Sequence, residues 1–167
     1  MDYAFFVQLI ADYAVFPVVL LGGWALLTIP KGQRYRAYCR ILLAGLTTFL
    51  LAKLLATVYQ PTEARPYELL GVTAGASYLD NPGFPSDHAL FVTTIALAVW
   101  FETRRKAISL ILAILVVAVC AGRVLALVHT PLDVIAGVAV ACIGSLWYLQ
   151  RDKDTNQLSK KIHKKRK

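Results

Sequence analysis

The stretch GRVLALVHTPLD, residues Gly122–Asp133, decides the fold. Arg123, His129 and Asp133 interrupt a run that is otherwise almost wholly apolar. Ionisable side chains at membrane depth are costly and mark functional sites. The apolar residues therefore make this run part of a membrane span, and its three charged or ionisable residues make it one wall of a site.

The whole chain supports that reading. Hydrophobic residues make up 57% of its 167 residues and charged residues only 17%, too apolar for a soluble domain of this size. Several apolar runs approach the roughly 20 residues needed to cross a bilayer. Cys39, Cys120 and Cys142 lie in or beside those runs, without metal-like spacing. They are expected as small packing residues, and an odd number argues against a disulfide framework. No basic region precedes the first apolar run, so no cleaved signal peptide is expected.

The expected fold is an all-α integral membrane protein, a bundle of about five transmembrane helices. The first span falls within Tyr3–Ile29. This is longer than one crossing requires, so residues 1–13 are expected as a short N-terminal surface helix or an outer extension. A linker from Pro30 to Arg40 precedes a second span, Ile41 to about Tyr59, broken only by Lys53. A polar loop runs from Gln60 to Pro85. The third span, Ser86 to Phe101, is short: at about 1.5 Å per residue it covers only ~24 Å, so its start sits below the membrane surface or the bilayer thins there. After a charged turn at Glu102–Lys106, a fourth span covers Ala107 to about Val128 and a fifth Leu132 to Leu149. Residues 1–150 are thus expected as one membrane domain and 151–167 as a basic cytoplasmic tail.

Charge sets the expected topology. The 30s linker, the turn at 104–106 and the tail hold fifteen of the eighteen Lys and Arg residues, all on one side of a five-span arrangement. The positive-inside rule makes that side cytoplasmic. Lys53, Arg65 and Arg123 fall on the other side, with seven of the ten acids. Each cation that breaks the rule is a candidate site residue. The tail, ending KKIHKKRK, is read as a topology anchor with affinity for anionic phospholipids rather than as a nucleic-acid binder.

The outer ends of spans two to five bring a constellation to one level: Lys53, Arg65, then Ser86, Asp87 and His88, then Arg123, His129 and Asp133. Three cations, two histidines and a carboxylate describe a pocket for a multiply charged anion. In FPSDHA, Pro85 and Ser86 fit the first positions of a helix, with Ser86 as N-cap. The free backbone N–H groups of that first turn, Asp87 included, suit phosphate. Simpler readings compete for single members. A His–Asp pair four residues apart also occurs as a satisfied intramembrane contact, and a lysine near a span end can snorkel. A metal site of His88, His129 and Asp133 is formally open, but three nearby cations would repel a divalent ion. The joint occurrence on one face favours the anion pocket.

These residues resemble the three-part signature of the type 2 phosphatidic acid phosphatase (PAP2) superfamily, whose relatives include vanadium haloperoxidases. The parts read Lys53…Arg65-Pro66, PSDH at 85–88, and Arg123-x5-His129-x3-Asp133. The second and third match in full. The first departs, since eleven residues separate Lys53 from Arg65 where the common pattern has six. Gly122 stands where many relatives have Ser, so any hydroxyl contact there is absent. The resemblance implies a PAP2/haloperoxidase-like core and a phosphatase without metal or other cofactor. It implies that His129 attacks phosphorus to form a phosphohistidine while Asp133 orients it. It further implies His88 as general acid and base, and phosphate binding by Lys53, Arg65, Ser86, the Asp87 backbone N–H and Arg123.

FPSDHA and VHTPLDVIAG are most similar to bacterial undecaprenyl-diphosphate phosphatases, which release phosphate from the polyprenyl carrier at the outer face of the cytoplasmic membrane. A pocket at headgroup level between helices suits a lipid phosphate. Phosphatidylglycerophosphate, phosphatidate and lipid A phosphatases fit the same placement. A non-catalytic lipid-phosphate binder or transporter would not need both histidines and Asp133, and haloperoxidase-like oxidation belongs to soluble relatives. The loop from Tyr67 to Gly83 is expected to help select the substrate.

Overall fold

The computed structural model describes residues 3–59, 64–78 and 83–149, and their regular structure is helical throughout. The basic tail expected at 151–167, with its lipid contacts, lies outside the described residues.

Helix α1 (Tyr3–Gln8), a π-helical turn (Leu9–Tyr13) and α2 (Val15–Leu27) follow one another with a single residue's break. Together, Tyr3–Leu27 forms a 25-residue apolar helical stretch. Of the two expectations for residues 1–13, the structure therefore takes the extension, over the residues from Tyr3 onward. Helix α3 (Lys31–Val58) is longer than expected and absorbs the segment read as a linker. Pro30 supplies its N-cap, and no residue after Gly32 breaks the helix, so charge in the 30s marked a helical overhang rather than a loop. Arg34 on that overhang donates to the carbonyls of Ile29 and Leu27 at 2.8 and 2.9 Å, tying down the chain end of α2.

A short α4 (Pro66–Leu69) lies in the polar loop, and α5 (Asp87–Thr103), α6 (Lys106–Leu125) and α7 (Pro131–Gly144) complete the bundle. A 3₁₀ turn, Ser145–Tyr148, continues α7. Four helical stretches among the described residues are long and apolar enough to span a membrane: Tyr3–Leu27, Lys31–Val58, Lys106–Leu125 and Pro131–Tyr148. Helix α5, with 17 residues, is the short central one, packed against α2, α3, α6 and α7. Val18, Val92, Val99, Leu112 and Val119 fill the core where α2, α5 and α6 meet. Outside, Leu20, Leu42, Leu110, Val117 and Ile135 are all more than half exposed. Apolar faces of that extent suit lipid, and the chain is a multi-pass membrane protein. Cys39, Cys120 and Cys142 are unpaired thiols, although Cys142 is exposed rather than packed.

At the end of the bundle remote from the histidines, Glu102 closes α5 instead of lying in the turn. Arg104, in the left-handed conformation with φ 58°, caps the helix. Arg40 grips Glu102 bidentately, Nε and Nη2 reaching Oε1 and Oε2 at 2.7 and 2.9 Å. Both side chains are largely shielded, with 13% and 2% exposure. Removing one member of a shielded pair takes from the other its bidentate opposite charge. Glu102→Gln is therefore expected to cost about 3 kcal/mol, read as a lowered thermal midpoint in detergent, with turnover per folded molecule unchanged.

Candidate active site

Two helix starts build the site. At the first, the cis Phe84–Pro85 peptide leads into Ser86, whose side chain caps α5 by accepting from the Ala89 N–H at 3.5 Å. That is the expected cap. Asp87 and His88 then occupy the first turn, where helix N–H groups have no intrahelical partners. Ser86 is fully buried, yet as a hydroxyl it keeps a proton to donate.

At the second, Thr130 caps α7 in a reciprocal box. The Asp133 N–H donates to Thr130 Oγ1 at 3.2 Å, and the Thr130 N–H donates to Asp133 Oδ2 at 2.7 Å. The same Oδ2 stands 3.6 Å from His129 Nδ1, an ion-pair rather than hydrogen-bond distance. His129 and Asp133 are both buried, at 6% and 4% exposure. Asp133 thus closes the helix and faces the imidazole with one oxygen.

The two starts are tied together by main chain: the Ser86 N–H donates to the Asp133 carbonyl at 2.9 Å. Gly137 permits this approach. A Cβ there would lie 2.7 Å from the Ser86 carbonyl oxygen and 3.1 Å from the Leu90 nitrogen. His88, on α5, comes within electrostatic reach of His129 and Arg123.

The loop following α3 forms a cover. Tyr67 and Gly75 donate backbone bonds to the carbonyls of Leu127 and Ala126, each at 3.0 Å, so the segment lies along the turn that carries His129. Arg65 Nη1 donates to the Val128 carbonyl at 2.7 Å, and its guanidinium stacks on Tyr78, 5.1 Å from the ring centre. A Cβ on Gly83 would be 3.7 Å from both Arg65 Nη1 and His129 Nδ1, so these two share one small volume. Tyr67 packs on Tyr78 with ring centres 5.1 Å apart. A hydrogen bond with Tyr78, then burial and the neighbouring Glu68, hold the Tyr67 phenol well above its ordinary range. Tyr67 therefore stays a neutral donor, and its hydroxyl reaches Glu68 Oε1 at 3.1 Å.

Arg123 is held by partners outside the expected constellation. It is 1% exposed, and its Nη1 is engaged by Asp12 Oδ1 at 3.2 Å and the Ser77 carbonyl at 2.8 Å. Its Nε finds no acceptor among the described residues. Gly122 allows the arrangement, because a Cβ there would meet the Ala11 nitrogen at 2.9 Å. Gly122 is thus explained by the π-helical turn that packs against it. Lys53 lies at the rim, half exposed, with its Nζ 3.6 Å from Asp87 Oδ1 and 5.5 Å from the Phe49 ring centre.

Arg65, Ser86, His88, Arg123, His129 and Asp133 accordingly converge, with Lys53 and Asp87 paired at the edge. Asp12, Ser77, Tyr78 and the Thr130 cap are contributors that sequence reasoning passed over. A signal existed for Asp12, an acid in an apolar run, and for Thr130, which with Asp133 has cap spacing. Among the described residues no three His, Cys, Asp or Glu side chains group so as to hold a metal ion.

A protein-family model described as the PAP2 superfamily matches residues 35–156, which takes in most of α3 and all of α4 to α7 and leaves out the helical stretch carrying Asp12. No curated protein matches the chain, and no solved structure does.

Proposed function

Because the chain belongs to the PAP2 superfamily, we propose that it is a lipid phosphate phosphatase working through a phosphohistidine on His129, with undecaprenyl diphosphate as substrate. Membership of the superfamily implies the coarser part, hydrolysis of a lipid phosphate without a metal. The observation that carries the mechanism is the pairing of two helix starts, which sets His129 beside Asp133 and Arg65 and brings His88 to the same pocket.

In the first step the Nε2 lone pair of His129 attacks phosphorus, and the bond from phosphorus to the bridging oxygen breaks. His88 protonates the departing oxygen, releasing the lipid phosphate. Asp133, 3.6 Å from Nδ1, favours the tautomer with its proton there and stabilises the charge that develops on the ring. In the second step a water gives its proton to His88 and attacks phosphorus, and the phosphorus–nitrogen bond breaks to free inorganic phosphate and His129. Arg65, Arg123, Ser86 and the first-turn N–H groups of α5 oppose the charge on the phosphoryl oxygens. Lys53, at the rim and paired with Asp87, serves approach more than chemistry.

The charge pattern supports an orientation with the histidine end extracytoplasmic and the tail cytoplasmic, and a membrane domain ending near residue 150. FPSDHA and VHTPLDVIAG support the polyprenyl substrate. The test is phosphate release by the purified full chain from undecaprenyl diphosphate, phosphatidylglycerophosphate, phosphatidate and a soluble diphosphate, each with and without EDTA. Undecaprenyl diphosphate is expected to give a kcat/KM at least ~10-fold above the others, a difference of about 1.4 kcal/mol in transition-state binding, unchanged by EDTA. Preference for a glycerophospholipid overturns the substrate. Activity lost to EDTA and restored by a divalent ion overturns the metal-free route.

A further inference from the structure

We propose that Asp12 is a positioning residue of the active site, holding Arg123 so that one edge of its guanidinium is free for phosphate. The inference rests on the phosphatase reading above and extends it to a helical stretch that the family match does not include.

Asp12 lies in the π-helical turn Leu9–Tyr13, and its carboxylate makes four contacts. Arg123 Nη1 donates to Oδ1 at 3.2 Å, the Ser77 N–H approaches Oδ1 and Oδ2 at 3.2 and 3.0 Å, and the Ser77 hydroxyl donates to Oδ2 at 3.0 Å. The Ser77 carbonyl in turn accepts from the same Nη1 at 2.8 Å. One guanidinium nitrogen is thus held by a carboxylate and a carbonyl that are themselves joined.

What remains on Arg123 is the fork of Nε and Nη2. Nε is buried and has no acceptor among the described residues, although the side chain is 1% exposed. A buried guanidinium donor without a partner is costly unless a ligand takes it. Nε and Nη2 together match two oxygens of a phosphate. Arg123 lies within electrostatic reach of His88 and Arg65, so a phosphate taken by this fork shares the field of the groups assigned to act on it. Two further features suit the role. The π-helical turn re-aims side chains relative to an α-helix, and such turns are frequent at functional sites. Gly122 lets that turn approach α6 closely enough for Asp12 to reach the next residue, Arg123.

The same carboxylate also holds Ser77, and so joins the cover over His129 to the N-terminal helical stretch. Ser77 borders a cavity of about 770 Å³ between Ala4, Phe5 and Gln8 on one side and the segment from Thr73 to Tyr78 on the other.

The test uses the full chain with Asp12→Asn, which keeps shape and an acceptor but removes the charge, and Asp12→Glu. Lipid phosphate turnover from the four-substrate panel, affinity for orthovanadate as a five-coordinate mimic, affinity for inorganic phosphate, and thermal midpoint are read on each. A positioning role predicts that Asp12→Asn lowers kcat and orthovanadate affinity at least ~10-fold and inorganic phosphate affinity by a smaller factor, because misplacing Arg123 weakens its grip on phosphate and costs most where charge builds in the transition state. Asp12→Glu regains part of both. A fall in thermal midpoint with kcat and vanadate affinity of the folded protein unchanged overturns the proposal, leaving a structural contact. Tighter binding of both anions also overturns it, because Asp12 would then only damp the charge of Arg123. Failure of the unmodified chain to bind vanadate or hydrolyse any panel member overturns the phosphatase reading itself, and this inference with it.

Discussion

His129→Ala is expected to reduce phosphate release by about 10⁴-fold or more, a barrier increase of roughly 5 kcal/mol. Among its described neighbours, Asp133 is committed to the Thr130 N–H at 2.7 Å, and His88 serves the proton transfers of both steps. The partner variant separates the two steps. His88→Ala removes the proton source, for which a loss of about 10²–10⁴-fold is the usual scale. With a substrate whose leaving oxygen needs no proton, attack by His129 still proceeds while activation of water does not. The chain should then accumulate label from a phosphorus-labelled substrate, in an acid-labile, alkali-stable bond at His129. Label on His88→Ala and none on His88→Ala/His129→Ala supports the covalent route. Full-rate release by His129→Ala ends it.

Gly137→Val is expected to be the most damaging change outside the reacting residues. The atoms a side chain would meet are backbone atoms, the Ser86 carbonyl at 2.7 Å and the Leu90 nitrogen at 3.1 Å, and they cannot rotate aside. Helices α5 and α7 must separate, which breaks the Ser86–Asp133 main-chain bond and moves His88 from His129. Overpacking of this kind costs about 1–3 kcal/mol. A displacement near 1 Å at reacting groups costs on the order of 100-fold in rate. The measurement is turnover per folded molecule alongside the thermal midpoint. Gly23→Ala is the control, since nothing lies within 4 Å of a Cβ there. It should leave turnover unchanged, and comparable turnover by Gly137→Val would show that the close approach is not needed for catalysis.

Much of this was legible from residue chemistry. Ser86 after a proline has a cap's chemistry, and the structure uses it as one. Arg123, His88 and His129 stand out as ionisable residues at span ends and Arg65 as a cation in the loop after span two, and the bundle brings them to one end. The helical bundle itself followed from apolar run lengths. The start of α3 is not legible from charge, because Lys and Arg after Pro30 describe a helix overhanging the membrane as well as a loop. For residues 1–13, apolar length alone does not say whether the segment lies on the surface or extends the span. Asp12 was visible as an anomaly but not as a partner. Its bond to Arg123 spans 111 residues, and no local rule pairs them. The Arg40–Glu102 pair was hidden for the same reason, across 62 residues.

The main-chain bond from Ser86 to Asp133 bears on how a lipid meets the pocket. Backbone dipoles at both helix starts are fixed by hydrogen bonds made at folding, not by rotamers chosen on arrival. A phosphate sliding in from the bilayer therefore finds the field already oriented, and little dipolar reorganisation accompanies bond breaking. A pocket polarised in advance responds to any phosphate group of suitable shape. Discrimination between lipids is then expected at the rim and along the exposed stretch 69–73 of the cover, away from Ser77 and Tyr78, which hold Arg123 and Arg65.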